Sequence, residues 1–140
     1  MIIDPLTLLV LQSVWTVLVL VSMAFRMKRN YLVHGIILIA LIVIEWVPLI
    51  AIAASSILSG ESMQSLMEPL STLIVFALHG IFGFVALVGG TLLLALWWRP
   101  SSLTNFAAKS ETTWRVTLIS WIISFIVGVF LYVAVTTTLL

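Results

Sequence analysis

Val43-Ile44-Glu45-Trp46-Val47-Pro48 interrupts an apolar run that extends from Tyr31 to Ser56. An acid, an indole and a proline stand there where a lipid-spanning helix carries leucines. The run exceeds the roughly 20 residues that cross a bilayer as a helix, so the stretch reads as part of a membrane span. An ionisable side chain inside a span is costly and calls for a partner or a task. The first question is therefore what Glu45 faces.

Composition supports the membrane reading. The chain has 140 residues, of which 63% are hydrophobic and only 8% charged. A soluble domain carries about three times that share of charge. Three further apolar runs reach spanning length. The expected architecture is all-α, an integral membrane four-helix up-down bundle forming a single domain over 1–140, with helices at about 5–25, 31–56, 70–98 and 111–138. The net charge of +1 comes with no basic tract, so no nucleic-acid partner is expected. Cysteine is absent, which excludes disulfides, thiolate metal sites and covalent haem attachment through cysteine. Asp4 stands where a signal peptide would carry a basic segment, and the first apolar run is long enough to span, so it is expected to stay as a helix.

Local signals mark the helix ends. Asp4-Pro5 is an N-cap followed by a proline at the first helical position. Gln12, Ser13 and Thr16 fall close together on span one and suit interhelical hydrogen bonding. Pro48 is expected to kink span two and free the carbonyl of Ile44. Arg99-Pro100 stops span three. Ser110 is expected to cap span four after a short polar loop, with Glu111 in the first turn. Within the 57–69 connection, Met63, Leu66, Met67 and Leu70 recur at i, i+3, i+4 and i+7 and read as a surface helix. Met63 and Met67 are also the candidate metal ligands, a thioether pair suited to Cu(I).

Small residues define the expected seams. His79, Gly83, Ala86 and Gly90 share one face of span three, so His79 should point at a neighbouring helix. Ser120, Ser124, Gly128 and Tyr132 follow at i+4 spacing on span four.

Orientation follows from charge. All six basic residues (Arg26, Lys28, Arg29, Arg99, Lys109 and Arg115) fall in the 26–30 loop and the 99–115 segment on one side, and none on the other. The positive-inside bias places that side in the cytoplasm and both termini outside. Counting at about 1.5 Å per residue from the span ends then puts Glu45 near the midplane, about 6 Å axially from His79 and within side-chain reach. Glu45 and His79 are thus expected to form a buried polar pair. His34 lies near the cytoplasmic interface on the Glu45 face, a candidate relay or ligand. Its axial distance from His79 is about 15 Å, too far for both to hold one haem iron.

Spans two to four resemble the small four-helix membrane proteins of the domain-of-unknown-function 420 group, whose bacterial members include cytochrome oxidase assembly proteins. The resemblance rests on the basic segment running into His34, on Leu78-His79, and on Lys109-Ser110-Glu111-Thr112-Thr113-Trp114-Arg115 leading to Ile126-Val127-Gly128-Val129-Phe130-Leu131-Tyr132. It covers about two-thirds of the chain. Lys109 stands where that group has a histidine, and its early proline in the last span is missing. The resemblance implies a four-helix scaffold in the service of a terminal oxidase.

No hydrolase or transferase motif is present, so an enzyme is not expected. The expected function is a non-catalytic accessory subunit of a larger membrane-embedded redox complex, a respiratory oxidase or membrane monooxygenase, with membrane lipids and other integral membrane subunits as partners. The alternative is an assembly protein handling haem or copper, or a small cytochrome. A proton or small-solute carrier is a third class, although four spans enclose little. No obligatory cofactor is expected, with a bound lipid or quinone as further candidates beside Gly83 and Gly90.

Overall fold

The computed structural model describes residues 4–59, 70–98 and 103–138, and its four elements are all helices: α1 (Pro5–Met27), α2 (Tyr31–Ser59), α3 (Leu70–Trp98) and α4 (Leu103–Thr138). Each contains an apolar segment of 21 to 27 residues. That is the length a helix needs to cross the roughly 30 Å hydrocarbon layer. A spanning helix also satisfies its own backbone hydrogen bonds, as lipid requires. Most of each span stays unburied. Its outward side chains, such as Val10, Val17, Val47, Ile81 and Phe130, are apolar and suited to lipid. The protein is a multi-pass membrane four-helix bundle.

The ends follow the local signals at α1. The Asp4 carboxylate accepts from the Thr7 N–H at 3.1 Å, and Pro5 opens the helix. The other end closes in a two-bond Schellman arrangement. The Asn30 N–H reaches back to the Phe25 carbonyl at 3.0 Å, and the Arg29 N–H to that of Arg26 at 2.9 Å. Arg29 takes the left-handed position with φ 59°. Asn30 then caps α2, its Oδ1 accepting from the Val33 N–H at 3.3 Å. So short a turn leaves α1 and α2 no choice but to pack as antiparallel neighbours.

Two expectations about helix limits need correction. α2 continues through Pro48 to Ser59 instead of ending near Ser56. Pro48 removes one donor, but a lipid-facing helix has no better use for the remaining backbone groups. α4 begins at Leu103, so Ser110 lies inside the helix and does not cap it. No glycine or proline separates Leu103 from Glu111. Leu103, Ala107, Ala108 and Lys109 are good helix formers, and the helix propagates backward through them.

The helices close a ring in chain order, with α1 against α4. The α3–α4 pair is the tightest and the α2–α3 pair the loosest. Small residues explain the difference. On α3, a Cβ at Gly83 would stand 3.2 Å from the Ser124 hydroxyl, and one at Gly89 would collide with Thr117. Only Gly90 turns toward α2, against Ile42. On α4, Ser120, Ser124 and Gly128 are buried. The apolar core is short: Val19, Leu41, Ile42, Ala86 and Leu87.

Candidate functional site

The polar side chains inside the spans mostly tie helix to helix. Ser22 on α1 and His34 on α2 form a reciprocal clasp. The Ser22 hydroxyl donates to the His34 carbonyl at 3.2 Å, and His34 Nδ1 lies 2.9 Å from the Ser22 carbonyl. Nδ1 also lies 2.7 Å from the Ser22 hydroxyl oxygen. Ser22 is wholly buried, and Gly35 beside the histidine is buried too. Small residues at this point let the two backbones come close enough for the exchange.

The same clasp occurs between α3 and α4. His79 Nδ1 lies 2.9 Å from the Ser124 carbonyl, and the Ser124 hydroxyl donates to the His79 carbonyl at 3.2 Å. Both histidines open a His-Gly-Ile triplet, His34-Gly35-Ile36 and His79-Gly80-Ile81. Gly128, one turn beyond Ser124, leaves room for the His79 ring and the Gln12 side chain together.

Two indoles complete the ring of ties. Trp46 Nε1 donates to the Thr91 hydroxyl at 3.1 Å, joining α2 to α3. Trp121 Nε1 donates to the Thr16 hydroxyl at 3.1 Å, joining α4 to α1. Among the described residues, only Thr16 of the polar group expected on span one makes such an interhelical bond. Ser13 bonds back to the Leu9 carbonyl of its own helix, and Gln12 packs at Gly128.

The structure does not bring Glu45 and His79 together as a pair. His79 turns to α4 and satisfies Nδ1 on Ser124. Glu45 is half-buried and, among the described residues, has no hydrogen bond or ion pair. The register explains the difference. Trp46, the next residue to Glu45, meets Thr91, and Ile42 meets Gly90. In this antiparallel pair Glu45, three residues beyond Ile42, comes level with about Leu87, eight positions from His79 on α3, which is about 12 Å of helix. The depth estimate from sequence took the span ends as flush, and the packed helices do not meet that way. Met63 and Met67 lie outside the described residues.

A cavity of about 530 Å³ opens between the four helices at the end carrying the α1–α2 turn. Arg26, Arg29, Tyr31 and Trp114 line its outer part. His34 also lines it, beside Gly35 and Leu38. Beyond them the wall is apolar: Val19, Leu41, Ile42, Ala86, Leu87 and Gly90, with Trp121. This volume lies within the range of ligand pockets.

The basic residues at this end differ in their partners. Arg115 pairs with Glu111 at 2.6 Å, an exposed i,i+4 contact that adds little stability. The Arg26 guanidinium lies 4.4 Å from the Trp114 ring centre. Among the described residues, neither Arg26 nor Arg29 has a carboxylate partner. Arg29 occupies the position where glycine is usual, and a left-handed non-glycine residue costs about 1–2 kcal/mol. Of the two glycines beside which the sequence suggested a lipid or quinone, Gly90 lines this cavity and Gly83 does not; sequence reasoning singled out neither Arg26 and Arg29 at its mouth nor Ser22, Thr91 or Trp121. The repeated His-Gly-Ile triplet was the one linear sign of the twin clasps.

No family model matches the chain, and no curated protein or solved structure matches it.

Proposed function

We propose that the protein is a non-catalytic accessory subunit of a larger membrane-embedded redox complex, of the respiratory oxidase or membrane monooxygenase type. The observation that carries the non-catalytic part is the use of the polar side chains. Ser22, His34, Thr16, Trp46, Thr91, His79, Trp121 and Ser124 are engaged in ties between helices. Such groups hold a scaffold in register and do not converge on a reacting atom. The redox class is contributed by the resemblance of spans two to four to oxidase assembly proteins.

The basic end of the bundle is placed in the cytoplasm and both termini outside. What supports this is the contact of Arg26 with Trp114, which puts the α1–α2 turn and the basic start of α4 at one end.

The test is extraction in a mild detergent followed by measurement of native mass and subunit identity. Co-purification in fixed stoichiometry with haem- or copper-containing oxidase or monooxygenase subunits is the expected result. A protein that migrates alone at the mass of one chain ends this reading.

A second reading, cofactor handling, is favoured by one observation: His34 lines the cavity with Nδ1 already held on the Ser22 carbonyl. A ligating histidine is commonly oriented through its other nitrogen in this way. This reading predicts a Soret band in the purified protein that disappears in His34→Ala and survives in His79→Ala. A colourless protein after addition of haem removes it.

A further inference from the structure

We propose that the cavity between the four helices is a binding site for one anionic membrane phospholipid. The phosphate is held at Arg26 and Arg29, and an acyl chain lies in the apolar interior. This does not rest on the accessory-subunit reading.

The first support is charge complementarity. The outer part of the cavity carries two guanidinium groups, and among the described residues they have no carboxylate partner and no acid lines the cavity. Cations left unpaired at a membrane surface select an anion, and guanidinium groups match phosphate geometry.

The second support is polarity and depth. The lining changes from arginine and tyrosine to aliphatic side chains within a few turns. Along α2 it extends from Tyr31 to Ile42, about 16 Å of helix. One leaflet of hydrocarbon is about 15 Å thick. The cavity thus has a charged mouth at headgroup level and an apolar interior one leaflet deep, the profile of a single phospholipid. A soluble phosphate compound would leave the interior empty, and a neutral lipid would leave the arginines unmatched.

The third support is Arg29 itself. The turn would close more cheaply on glycine, yet an arginine stands in the left-handed position and lines the mouth. Strain retained at a charged group beside a cavity is the pattern of a binding residue. The positive-inside rule asks only for basic residues somewhere in the connection, which Lys28 already serves.

The experiment is native mass spectrometry of the protein released from nanodiscs containing equal amounts of phosphatidylglycerol and phosphatidylcholine. One retained phosphatidylglycerol per chain is expected, at least fivefold over phosphatidylcholine. Arg29→Gly should erase that preference while the melting temperature stays at or above that of the wild type. Arg29→Lys should keep part of the preference. Leu38→Trp, which fills the interior, should lower retention of both lipids. Glycerol phosphate at the same concentration should not compete. Equal retention of the two lipids overturns the proposal, as does an Arg29→Gly protein that keeps the preference. Competition by glycerol phosphate, or retention of an isoprenoid quinone in place of phospholipid, also overturns it.

Discussion

Ser22 and His34 hold each other at two points, hydroxyl to carbonyl in one direction and imidazole to carbonyl in the other. The arrangement joins α1 to α2 through backbone atoms and engages Nδ1 of a histidine that lines the cavity. Ser124 and His79 repeat it between α3 and α4.

Removing the hydroxyls should weaken the bundle by a modest and similar amount at the two clasps. Interhelical hydrogen bonds in membranes contribute on average about 0.6 kcal/mol and at most about 1.7. Ser22→Ala and Ser124→Ala are each expected to cost about 1 kcal/mol, measured as a shift of the unfolding midpoint in mixed micelles of increasing SDS fraction. The double variant should be additive, because the clasps share no partner. Strong coupling between them would contradict two separate clasps.

Gly89 and Gly80 should respond oppositely to alanine. A Cβ at Gly89 collides with Thr117 on α4, whereas one at Gly80 finds no atom within 4 Å. Gly89→Ala is expected to separate α3 from α4 and cost about 1–3 kcal/mol. Gly80→Ala should be neutral or stabilising by up to about 1 kcal/mol, since alanine is the better helix former. The same SDS titration reads both, and equal effects would disprove the close approach at Gly89.

Glu45 separates the sequence expectation from the observed packing. A carboxyl group in a span without a partner is a cost to insertion and stability. Glu45→Leu should therefore stabilise the protein, by about 1–3 kcal/mol on scales for polar groups at a helix centre. Had Glu45 been paired with His79, the same change would orphan the imidazole and destabilise. A lowered unfolding midpoint for Glu45→Leu in lipid bicelles would restore the paired reading.

Trp121 is one of two ties between the last helix and the first, the other being the contact of Arg26 with Trp114. Trp121→Phe keeps most of the aromatic volume and loses the bond to the Thr16 hydroxyl. A loss of about 0.6–1.7 kcal/mol is expected. Because Thr16 already donates to the Gln12 carbonyl of its own helix, Thr16→Val should cost no more than Trp121→Phe. A double-mutant cycle measures the pair directly, and a coupling near zero would mean that the Trp121–Thr16 bond does not hold α1 to α4.

The helix-packing face of α4 was legible because Ser120, Ser124 and Gly128 repeat at the period of the helix itself. The small residues of α3 were legible as a set but not as to which neighbour each one meets. Gly89 takes α4 and Gly90 takes α2, since adjacent positions on a helix are rotated by about 100°. Gly83 shares the face of Gly90 by helical period yet meets Ser124 on α4, so the single seam expected for His79, Gly83, Ala86 and Gly90 is divided between two neighbouring helices. Ser22 gave no signal. It is a lone serine in an apolar run, and its role depends on which residue of another helix stands beside it.

The sequence by itself determined four membrane helices, their up-down order, the Asp4-Pro5 start and the collection of basic residues in two stretches, 26–29 and 99–115. These are linear properties. Segment length and hydropathy set what can cross lipid, and turn residues set where it stops. Tertiary structure alone decided that His79 faces Ser124 instead of Glu45, that Trp46 meets Thr91, and that a cavity opens beside His34 under Arg26 and Arg29. Helix rotation, tilt and axial register are set by how the side chains of neighbouring helices pack. A count of residues from the membrane surface contains none of the three.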